Sequence, residues 1–342
     1  MTIIDHTTFG PFAGDRMAQL YRIRNANGIE LAVTNLGCII TELHTPDRHG
    51  QMGDIVLGYD TAQAYYQDTS HMGSIAGRYA GRIAYGRCTI DNKPVKISQN
   101  HGQHHLHGGH RGFNKKLWHS EIISGLGNSG ISFHLISPDA DEGYPGELDV
   151  KVQYILNDDD SLHVTYRATT SKTTVINLTQ HSYFNLSANA VSSIDDHLLT
   201  IPATQVLDCD KDLIPTGKFN DVENTPLDFR KPRKLVGEYD PTYILADRRT
   251  EDSHFAACLS HPPSGRTINV FTDQPSVQLY TAYNLTNELM GKGSIPYGPH
   301  QSVCLETQNF PDAPNHSHFP SAILEAGETF FSRTIFRFGC SN

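Results

Sequence analysis

Hydrophobic and polar residues alternate with a period of two along most of the chain. Residues 149–156, "DVKVQYIL", place their apolar side chains on one face, and residues 162–168, "LHVTYRA", repeat the pattern. Residues 276–283, "SVQLYTAY", and 329–338, "TFFSRTIFRF", alternate in the same way and are rich in aromatic and β-branched side chains. This period indicates β-strands with one buried face, because successive side chains of a strand point to opposite sides.

Helical patterns are scarce, and only residues 60–68, "DTAQAYYQD", suggest a short helix. Gly and Pro separate the alternating runs, as in chains of antiparallel strands joined by turns. The pattern therefore predicts an all-β protein, either a large antiparallel β-sandwich or a barrel. No low-complexity linker, repeat or change in composition divides the 342 residues, so we expect one domain over residues 1–342.

The segment "GLGNSG" at residues 125–130 matches the glycine spacing of a dinucleotide-binding loop. That loop requires a helix after it, because the helix N-terminus holds the pyrophosphate. Here residues 131–137, "ISFHLIS", alternate like a strand. We therefore interpret Gly125, Gly127 and Gly130 as part of a hairpin loop and expect no nucleotide cofactor.

Charge and cysteine spacing exclude several classes of function. The formal net charge of −10 disfavours phosphate-rich partners, so we expect neither nucleic acid nor an anionic membrane surface. The six cysteines are widely spaced and form no C-x-x-C pair, which disfavours a zinc ribbon and a dense disulfide framework. No stretch resembles a signal peptide or a membrane span, and we predict a cytoplasmic protein with reduced thiols.

Five histidines are crowded into residues 101–113, "HGQHHLHGGHRGF": His101, His104, His105, His107 and His110. Glycines within the run indicate a loop or a strand end, whereas a helical zinc site places two histidines four residues apart. The run also contains no Cys, Asp or Glu. A solvated surface loop is favoured over a metal site, and a third interpretation is that only one of these histidines has a function.

Residues 174–186, "TVINLTQHSYFNL", carry an unusual second face if they form a strand. Apolar residues occupy one side, while the opposite side carries Asn177, Thr179, His181, Tyr183 and Asn185. That polar side is either plain solvent surface or the wall of a cleft.

A second polar face occurs in residues 303–314, "VCLETQNFPDAP". Cys304, Glu306 and Gln308 lie opposite an apolar face, and Gln278 and Tyr280 share a side in the preceding run. Glu is depleted in strands, so Glu306 is either a charge that protects a sheet edge or a functional group. A concave sheet face with His, Glu, Gln, Asn and aromatic groups suits a neutral, hydroxyl-rich ligand, and a sugar fits best.

Six segments in this order, spanning nearly the whole chain, resemble the aldose 1-epimerases, also called galactose mutarotases. The resemblance implies a single-domain, large antiparallel β-sandwich with a wide sugar cleft and with no metal or organic cofactor. The segments are "GRYAGRI" (77–83), "LHGGHRGF" (106–113), "DEGYPGEL" (141–148), "NLTQHSYFNL" (177–186), "QPSVQLYT" (274–281) and "LETQNFPDA" (305–313).

The resemblance implies that Glu306 is the general base and His181 the general acid of anomer interconversion. It further implies that Arg82 and His107 bind and polarise the sugar near its reacting end, the paired glycines after His107 allowing the turn that brings it to the cleft. Other hydroxyls would be held by the remaining two residues of the motifs, Asp240 and Gln278.

The chain departs from the family pattern at two places in these motifs. Gly81 precedes Arg82 where the family often has Asn, and Pro241 and Thr242 follow Asp240 where His-Asn is usual. These departures put the role of Asp240 and the sugar preference in question.

The expected reaction requires an ionised Glu306 together with a protonated His181, and mutual attraction predicts a lowered pKa for the carboxyl group and a raised pKa for the imidazole. Two alternatives stay open. One is a hexose-6-phosphate 1-epimerase, with Arg78, Arg82 and Arg87 as phosphate clamps. The other is a sugar-binding protein of the same fold without catalysis. We expect a monomer or a homodimer.

Overall fold

The computed structural model describes residues 3–124, 128–246, 248–286 and 290–341. Within these ranges, one α-helix, α1, covers Ala62–Gln67, as expected, and begins where the Thr61 hydroxyl accepts a hydrogen bond from the Ala64 amide. Short 3-10 helices cover Ala84–Gly86, Phe113–Lys115, Asp141–Gly143, Lys292–Ser294 and Ala313–Asn315. No helix among the described residues has the length and apolar character needed to cross a membrane.

Strands make up the rest of the regular structure. The first are β1 (Ile3–Phe12), β2 (Arg16–Arg24), β3 (Glu30–Thr34), β4 (Ile39–Pro46), β5 (Met52–Asp54), β6 (Ile75–Ala76), β7 (Arg82–Ile83), β8 (Arg87–Ile90) and β9 (Lys93–Lys96). Next come β10 (His105–Leu106), β11 (His119–Ile123), β12 (Asn128–Ser137), β13 (Leu148–Asn157), β14 (Ser161–Thr170), β15 (Thr174–Val175), β16 (Thr179–Gln180), β17 (Leu198–Thr200) and β18 (Gln205–Cys209). The last are β19 (Pro215–Asp221), β20 (Arg233–Lys234), β21 (Thr242–Ile244), β22 (His254–Ser260), β23 (Arg266–Thr272), β24 (Ser276–Tyr280), β25 (Cys304–Gln308), β26 (Ile323–Leu324) and β27 (Thr329–Cys340).

A nine-stranded antiparallel sheet forms the largest layer, in the order β11-β12-β13-β14-β27-β23-β22-β17-β20. Its central strands bury every second side chain, so the alternation expected for residues 149–156 and 162–168 is confirmed. Strand β12 begins inside the glycine-rich segment and pairs with β11, so the expected strand in place of a helix is also confirmed, but Gly130 is paired with Ile123 in this sheet and is not a hairpin-loop residue. Gly125 and Gly127 themselves lie outside the described residues.

Two five-stranded antiparallel sheets complete the main architecture, in the orders β1-β2-β3-β4-β5 and β19-β18-β21-β24-β25. Val277 of β24 and Leu305 of β25 belong to the same hydrophobic core as Val150 and Val152 of β13. The apolar faces of β24 and β25 therefore pack toward the largest sheet, and their other faces point away from this core. This layered arrangement confirms the β-sandwich and contradicts a barrel.

Residues 174–186 do not form the single strand that their alternation predicts. The segment contains only two short strands, β15 and β16. β15 pairs with β26, whereas β16 pairs with β6. Both faces of the segment are buried. The Asn177 amide donates to the carbonyls of Ala80 and Asn309, and the Asn185 amide donates to three other carbonyls. The polar side is therefore not solvent surface. It is only partly a cleft wall, because the side chains of Asn177 and Asn185 form hydrogen bonds with other segments of the chain.

Arg78 is a structural residue and is closed to ligands. Its guanidinium is buried and donates hydrogen bonds to Ser137 Oγ and to the carbonyls of Ser137, Pro138, Pro145 and Gly146. Its donors are occupied by these carbonyls, so the interpretation of Arg78 as a phosphate clamp is wrong.

Candidate active site

All six residues implied by the family motifs line one cavity of about 250 Å³. They come from separate parts of the sequence and meet at the face of β24 and β25 that points away from the core. The six residues are Arg82, His107, His181, Asp240, Gln278 and Glu306.

Two neighbouring strands supply the floor of the cavity. Gln278 of β24 lies directly opposite Glu306 of β25 in the antiparallel register. Because side chains alternate along a strand, the neighbours of Gln278 and Glu306 point to the opposite side, and these neighbours, Val277, Leu279, Leu305 and Thr307, are all buried. Glu306 lies on β25, the end strand of its sheet, but its side chain is buried to 3% exposure in the cavity and is not a solvent-exposed charge at the sheet edge.

His181 follows β16 and brings its ring against the floor. The distance between His181 Nε2 and Glu306 Oε2 is 3.6 Å, and both side chains are almost fully buried. His181 Nδ1 and Glu306 Oε2 have no hydrogen-bond partner among the described residues. The ring is stacked on Tyr183 with a centroid distance of 5.1 Å, which holds it beside the carboxyl group.

The pKa values of this pair are shifted in the directions opposite to those expected from mutual attraction. Burial, and then the negative charge of Asp240, raise the pKa of Glu306 to about 8, although Arg82 opposes the shift. Burial lowers the pKa of His181 to about 4. The expectation is wrong because loss of hydration penalises each charged form more than the neighbouring group stabilises it.

The two pKa values together determine how many titratable protons the Glu306–His181 pair holds. Between about pH 4 and about pH 8 the two groups together hold one titratable proton. In the free protein this proton is on the carboxyl group of Glu306, and His181 is a neutral imidazole. Moving that proton to His181 produces the ionised pair without any exchange with solvent.

His107 is presented to the cavity by a tight turn, as the glycines after it suggest. His107 has φ of +50°, and Gly108 and Gly109 have φ of +91° and +98°. A Cβ atom on Gly108 would lie 1.7 Å from the Gly77 carbonyl oxygen, so only glycine fits there. His107 Nδ1 accepts the Gly81 amide at 3.2 Å, which leaves Nε2 as the protonated, donating nitrogen. Burial keeps the pKa of His107 well below its usual range.

Gln278 and Asp240 form one unit. Both amide hydrogens of Gln278 are used, since Nε2 donates to the Asp240 carbonyl at 2.8 Å and to Asp240 Oδ1 at 2.6 Å. The Thr242 hydroxyl donates to Gln278 Oε1. The unusual residue after Pro241 thus fixes the amide that holds Asp240 in place. Burial raises the pKa of Asp240 to about 6, with Arg82 opposing the shift.

The other histidines of the 101–110 run divide into three kinds. His105 is fully buried, with Nε2 against the Tyr144 hydroxyl at 2.6 Å, and His104 is buried and accepts the Tyr85 amide. The interpretation of these two as solvated loop residues is therefore wrong. His110 is exposed. His101 lines the same cavity as His107.

His71 is a cavity residue that sequence reasoning missed. Its ring lies 4.8 Å from the ring of His107 and 6.2 Å from that of His181, and its Nδ1 is buried without a partner. Its backbone has φ of +59°, an uncommon conformation for a residue with a side chain. No sequence pattern predicted that His71 lines the cavity, because a residue other than glycine in the left-handed conformation produces no periodic signal in the sequence.

The turn that carries His71 is held by one buried carboxylate. Asp68 accepts hydrogen bonds from the Tyr59 hydroxyl, from the amide and hydroxyl of Ser70, and from the Met72 amide. The position of the His71 ring is therefore determined before any ligand binds. Burial and the neighbouring His181 lower the pKa of His71 to about 3, so it is a neutral imidazole.

Three more side chains that alternation had assigned to polar faces, Tyr183, Tyr280 and Gln308, line the cavity. Tyr280 on β24 and Gln308 on β25 point as the period of two predicts, whereas Tyr183 lies in the irregular segment 174–186.

The cavity walls hold several buried polar atoms that have no hydrogen-bond partner among the described residues. Such atoms are costly unless a ligand or water satisfies them. Both donors and acceptors are present among them, which is the mixture that hydroxyl groups complement. The atoms are Arg82 Nε, His71 Nδ1, His181 Nδ1, Glu306 Oε2 and Gln308 Oε1.

The same residues also contain a set of potential metal ligands. Ligand atoms of His107, His181 and Glu306 all lie within 4.8 Å of one another. Two imidazoles and one carboxylate can bind zinc, with ligand bonds of about 2.0–2.2 Å. Of the histidine run, only His107 belongs to this set of potential ligands among the described residues, and the other two come from distant parts of the sequence.

A buried carboxyl–imidazole pair on the floor of a cavity lined by polar and aromatic side chains, in an antiparallel β-sandwich, is an arrangement suited to a carbohydrate-modifying class of protein. The family model described as aldose 1-epimerase matches residues 19–337. Galactose mutarotase from Bos taurus is 42% identical to this chain over 318 residues, covering 91% of each. Aldose 1-epimerase from Escherichia coli (strain K12) is 31% identical over 334 residues, covering 94% of this chain and 95% of the relative.

The crystal structure of an aldose epimerase homologue from C. elegans shares the fold, with a TM-score of 0.86 and 27% identity over 94% of this chain and 99% of that chain. The chain therefore belongs to the aldose 1-epimerase family.

The raised pKa of Glu306 predicts how stability depends on pH. The folded protein binds this proton more tightly than the unfolded chain, so the contribution is complete below about pH 4.5 and is lost as the pH rises toward about 8. Glu306→Gln keeps the neutral shape at every pH. We expect its melting temperature to exceed that of the wild type increasingly from acidic to alkaline pH, as measured by thermal unfolding.

Glu121→Gln is the matched control, because Glu121 is exposed in a surface pair with His119. Its difference in melting temperature from the wild type should not change with pH. A constant difference for Glu306→Gln as well would mean that Glu306 is ionised in the folded protein at neutral pH.

Proposed function

We propose that this protein is an aldose 1-epimerase that interconverts the α- and β-anomers of aldohexoses such as galactose and glucose. The observation that carries the proposal is the buried Glu306–His181 pair, with 3.6 Å between its nearest atoms, on the floor of a cavity whose polar atoms lack partners. Membership of the family supports the same activity.

The reaction needs one proton acceptor and one proton donor at the same time. The base removes the proton of the C1 hydroxyl while the acid protonates the ring oxygen, and the C1–ring oxygen bond breaks to give the open-chain aldehyde. After rotation about C1–C2, the hydroxyl attacks the other face of the carbonyl and both protons return. This is general acid–base catalysis, in which each group typically contributes about 10²–10⁴-fold.

Glu306 serves as the base and His181 as the acid when the shared proton lies on the imidazole. In the free protein this proton is on Glu306, because burial favours the neutral form of both groups. Arg82 lowers the pKa of Glu306, and sugar hydroxyls that donate to the carboxylate lower it further. Substrate binding thus supplies the polar partners that make the ionised pair accessible.

The other cavity residues bind and orient the sugar. His107 donates from Nε2 as a neutral imidazole, Asp240 accepts from hydroxyl groups, and Gln278 acts mainly by holding Asp240. His71 addresses a further hydroxyl through its unpaired Nδ1. These roles are proposals that rest on the geometry.

A neutral aldose is a better fit than a hexose 6-phosphate. Of the three arginines considered as phosphate clamps, Arg78 is used inside the fold, Arg87 is absent from the cavity lining, and only Arg82 remains. Asp240 and Glu306 add acidic groups to the same walls. A cytoplasmic location and a monomeric or homodimeric state stay predictions.

The acid–base pair is tested by Glu306→Gln and His181→Asn, each assayed by polarimetry with α-galactose and α-glucose. Each substitution should lower kcat by at least about 10²-fold, because it removes one proton-transfer group. The double variant should lose much less than the product of the two losses, since both groups act in one event. A non-catalytic sugar-binding protein would leave the spontaneous rate unchanged in every sample.

Controls for this test come from a matched surface pair and from metal removal. Glu121→Gln and His119→Asn alter an exposed Glu–His pair and should retain wild-type kcat. Dialysis against EDTA should leave activity unchanged, because no proposed step uses a Lewis acid. Near-wild-type kcat in Glu306→Gln, or a loss after EDTA that zinc restores, would contradict the proposal.

His71→Phe tests the residue that sequence reasoning missed. Phe keeps an aromatic ring in the turn but removes both nitrogens. KM should rise by about five- to tenfold, which corresponds to the loss of one hydrogen bond, while kcat changes little. His71→Asn restores polar groups and suits the left-handed backbone, and it should recover part of the affinity. An unchanged KM for His71→Phe would show that His71 does not contact the sugar.

A further inference from the structure

Arg82 reaches the active-site cavity from a very short strand. That strand, β7, has two residues and pairs with β10 along one of its edges. The Nε atom of Arg82 is buried without a hydrogen-bond partner among the described residues, so this atom does not anchor the side chain to the protein. The position of the guanidinium therefore depends on how firmly the backbone of β7 is held.

Asp312 holds the second edge of β7. Its amide donates to the Arg82 carbonyl at 2.8 Å, and its Oδ1 accepts the amide of Ala84 at 2.9 Å. One residue thus forms two hydrogen bonds of the kind that a neighbouring strand would form, one through its backbone and one through its side chain. Asp312 is buried to 2% exposure, and it does not line the active-site cavity.

The chain on both sides of Asp312 is anchored by a core tyrosine. The Tyr79 hydroxyl donates to the Phe310 carbonyl at 2.9 Å and accepts the Ala313 amide at 3.1 Å. Tyr79 is fully buried and belongs to a hydrophobic cluster with Phe310 and Ala313. Asp312 therefore ties β7 to a fixed point of the fold.

The carboxylate of Asp312 is held in place by further contacts. The side-chain amide of Asn315 donates to Asp312 Oδ1 at 2.6 Å, and His316 Nε2 lies 3.3 Å from Oδ2. The backbone of Asp312 has φ of +57°, a conformation that Asp and Asn adopt more readily than most residues with a side chain. The residue type suits both the acceptor role and the backbone conformation.

Asp312 also connects two parts of the active site. It lies in the turn that follows β25, the strand that carries Glu306, and its hydrogen bonds lead to the strand that carries Arg82. Arg82 opposes the rise in the pKa of Glu306 that burial and the charge of Asp240 cause. A displacement of β7 would therefore change the effect of the guanidinium on Glu306 as well as its contact with a bound sugar.

We propose that Asp312 is a positioning residue for the epimerase reaction, because its two hydrogen bonds to β7 hold the guanidinium of Arg82 beside Glu306 and the sugar. The proposal rests on the aldose 1-epimerase function. Asp312 contacts no substrate and transfers no proton, so its whole contribution to the rate passes through Arg82.

The first test is the pH dependence of kcat/KM for Asp312→Ala, measured by polarimetry with α-galactose. Loss of the carboxylate should lower kcat/KM by about tenfold at pH 7, equivalent to about 1.4 kcal/mol. The alkaline limb should move to higher pH, because a displaced guanidinium lowers the pKa of Glu306 less. A tenfold loss without a shift of this limb would contradict the proposal.

Asp312→Asn is the conservative variant. It keeps an oxygen that can accept the Ala84 amide, and Asn suits the left-handed backbone. We expect it to recover most of the activity lost in Asp312→Ala and to restore the alkaline limb to the wild-type position. A loss as large as that of Asp312→Ala would overturn the role of the hydrogen bond to β7.

A double-mutant cycle with Arg82→Ala separates positioning from general support of the fold. When Arg82 is already Ala, Asp312→Ala should change kcat/KM by less than about twofold, because the group it positions is absent. These rates are measured at enzyme concentrations that keep them above the spontaneous rate. A further tenfold loss in this background overturns the proposal, since the effect would then not pass through Arg82.

Ala84→Pro removes the donor of the same hydrogen bond and leaves Asp312 in place. Ala84 begins a 3-10 helix and follows Ile83, which is extended with φ of −125° and ψ of 123°, so the backbone suits Pro. The loss in kcat/KM and the shift of the alkaline limb should have the same direction as in Asp312→Ala. This variant decides the question if Asp312→Ala does not fold, and wild-type behaviour of Ala84→Pro would contradict the proposal.

Asp91→Ala is the matched control. Asp91 has a similar left-handed backbone, with φ of +50°, in the exposed turn between β8 and β9, and it does not line the cavity. Its kcat/KM and pH profile should equal those of the wild type. Failure of the wild type to accelerate mutarotation overturns the proposed function itself, whereas an active wild type with an equally active Asp312→Ala overturns only the positioning role.

Discussion

The exclusion of water from one carboxyl group and one imidazole is the constraint on which the site depends. Antiparallel pairing of β24 and β25 places Glu306 opposite Gln278 on a face that points away from the core. An irregular buried segment places the imidazole of His181 beside the Glu306 carboxyl group. Burial at that point keeps both groups neutral in the free protein and leaves a single proton between them. In the proposed reaction, sugar hydroxyl groups that donate to the Glu306 carboxylate lower the cost of separating the charges.

The floor of the cavity could be predicted from the sequence, because strand alternation alone determines which side chains share a face. Glu306, Gln308, Gln278 and Tyr280 all point as their period of two requires. Resemblance to a family was needed to bring in Arg82, on the two-residue strand β7, and the residues on irregular segments, since no periodicity relates parts of the chain so distant in sequence. Alternation failed at residues 174–186, where asparagine amides that bind distant carbonyls replace regular strand pairing.

Burial was the property that sequence reasoning could not supply, and it explains the remaining errors. The pKa shifts of Glu306 and His181 were predicted with the wrong sign. Attraction between opposite charges can be inferred from residue types, whereas the loss of hydration depends on burial in the folded protein. The same applies to the histidine run. His107 and His101 line the active-site cavity, His104 and His105 are buried within the fold, and His110 is exposed. Five identical side chains in ten residues thus have different roles.

The dependence of kcat/KM on pH tests the shared-proton account most directly, since this profile reports the pKa values of the free enzyme. With the spontaneous rate subtracted at each pH, we expect an acidic limb near pH 4 from His181 and an alkaline limb near pH 8 from Glu306, with only a smaller step near pH 6 between them from Asp240. A narrow optimum bounded by limbs near the solution values of about 4.3 for Glu and about 6.5 for His would contradict it. Such a profile would mean that water reaches the pair and that burial does not control the proton.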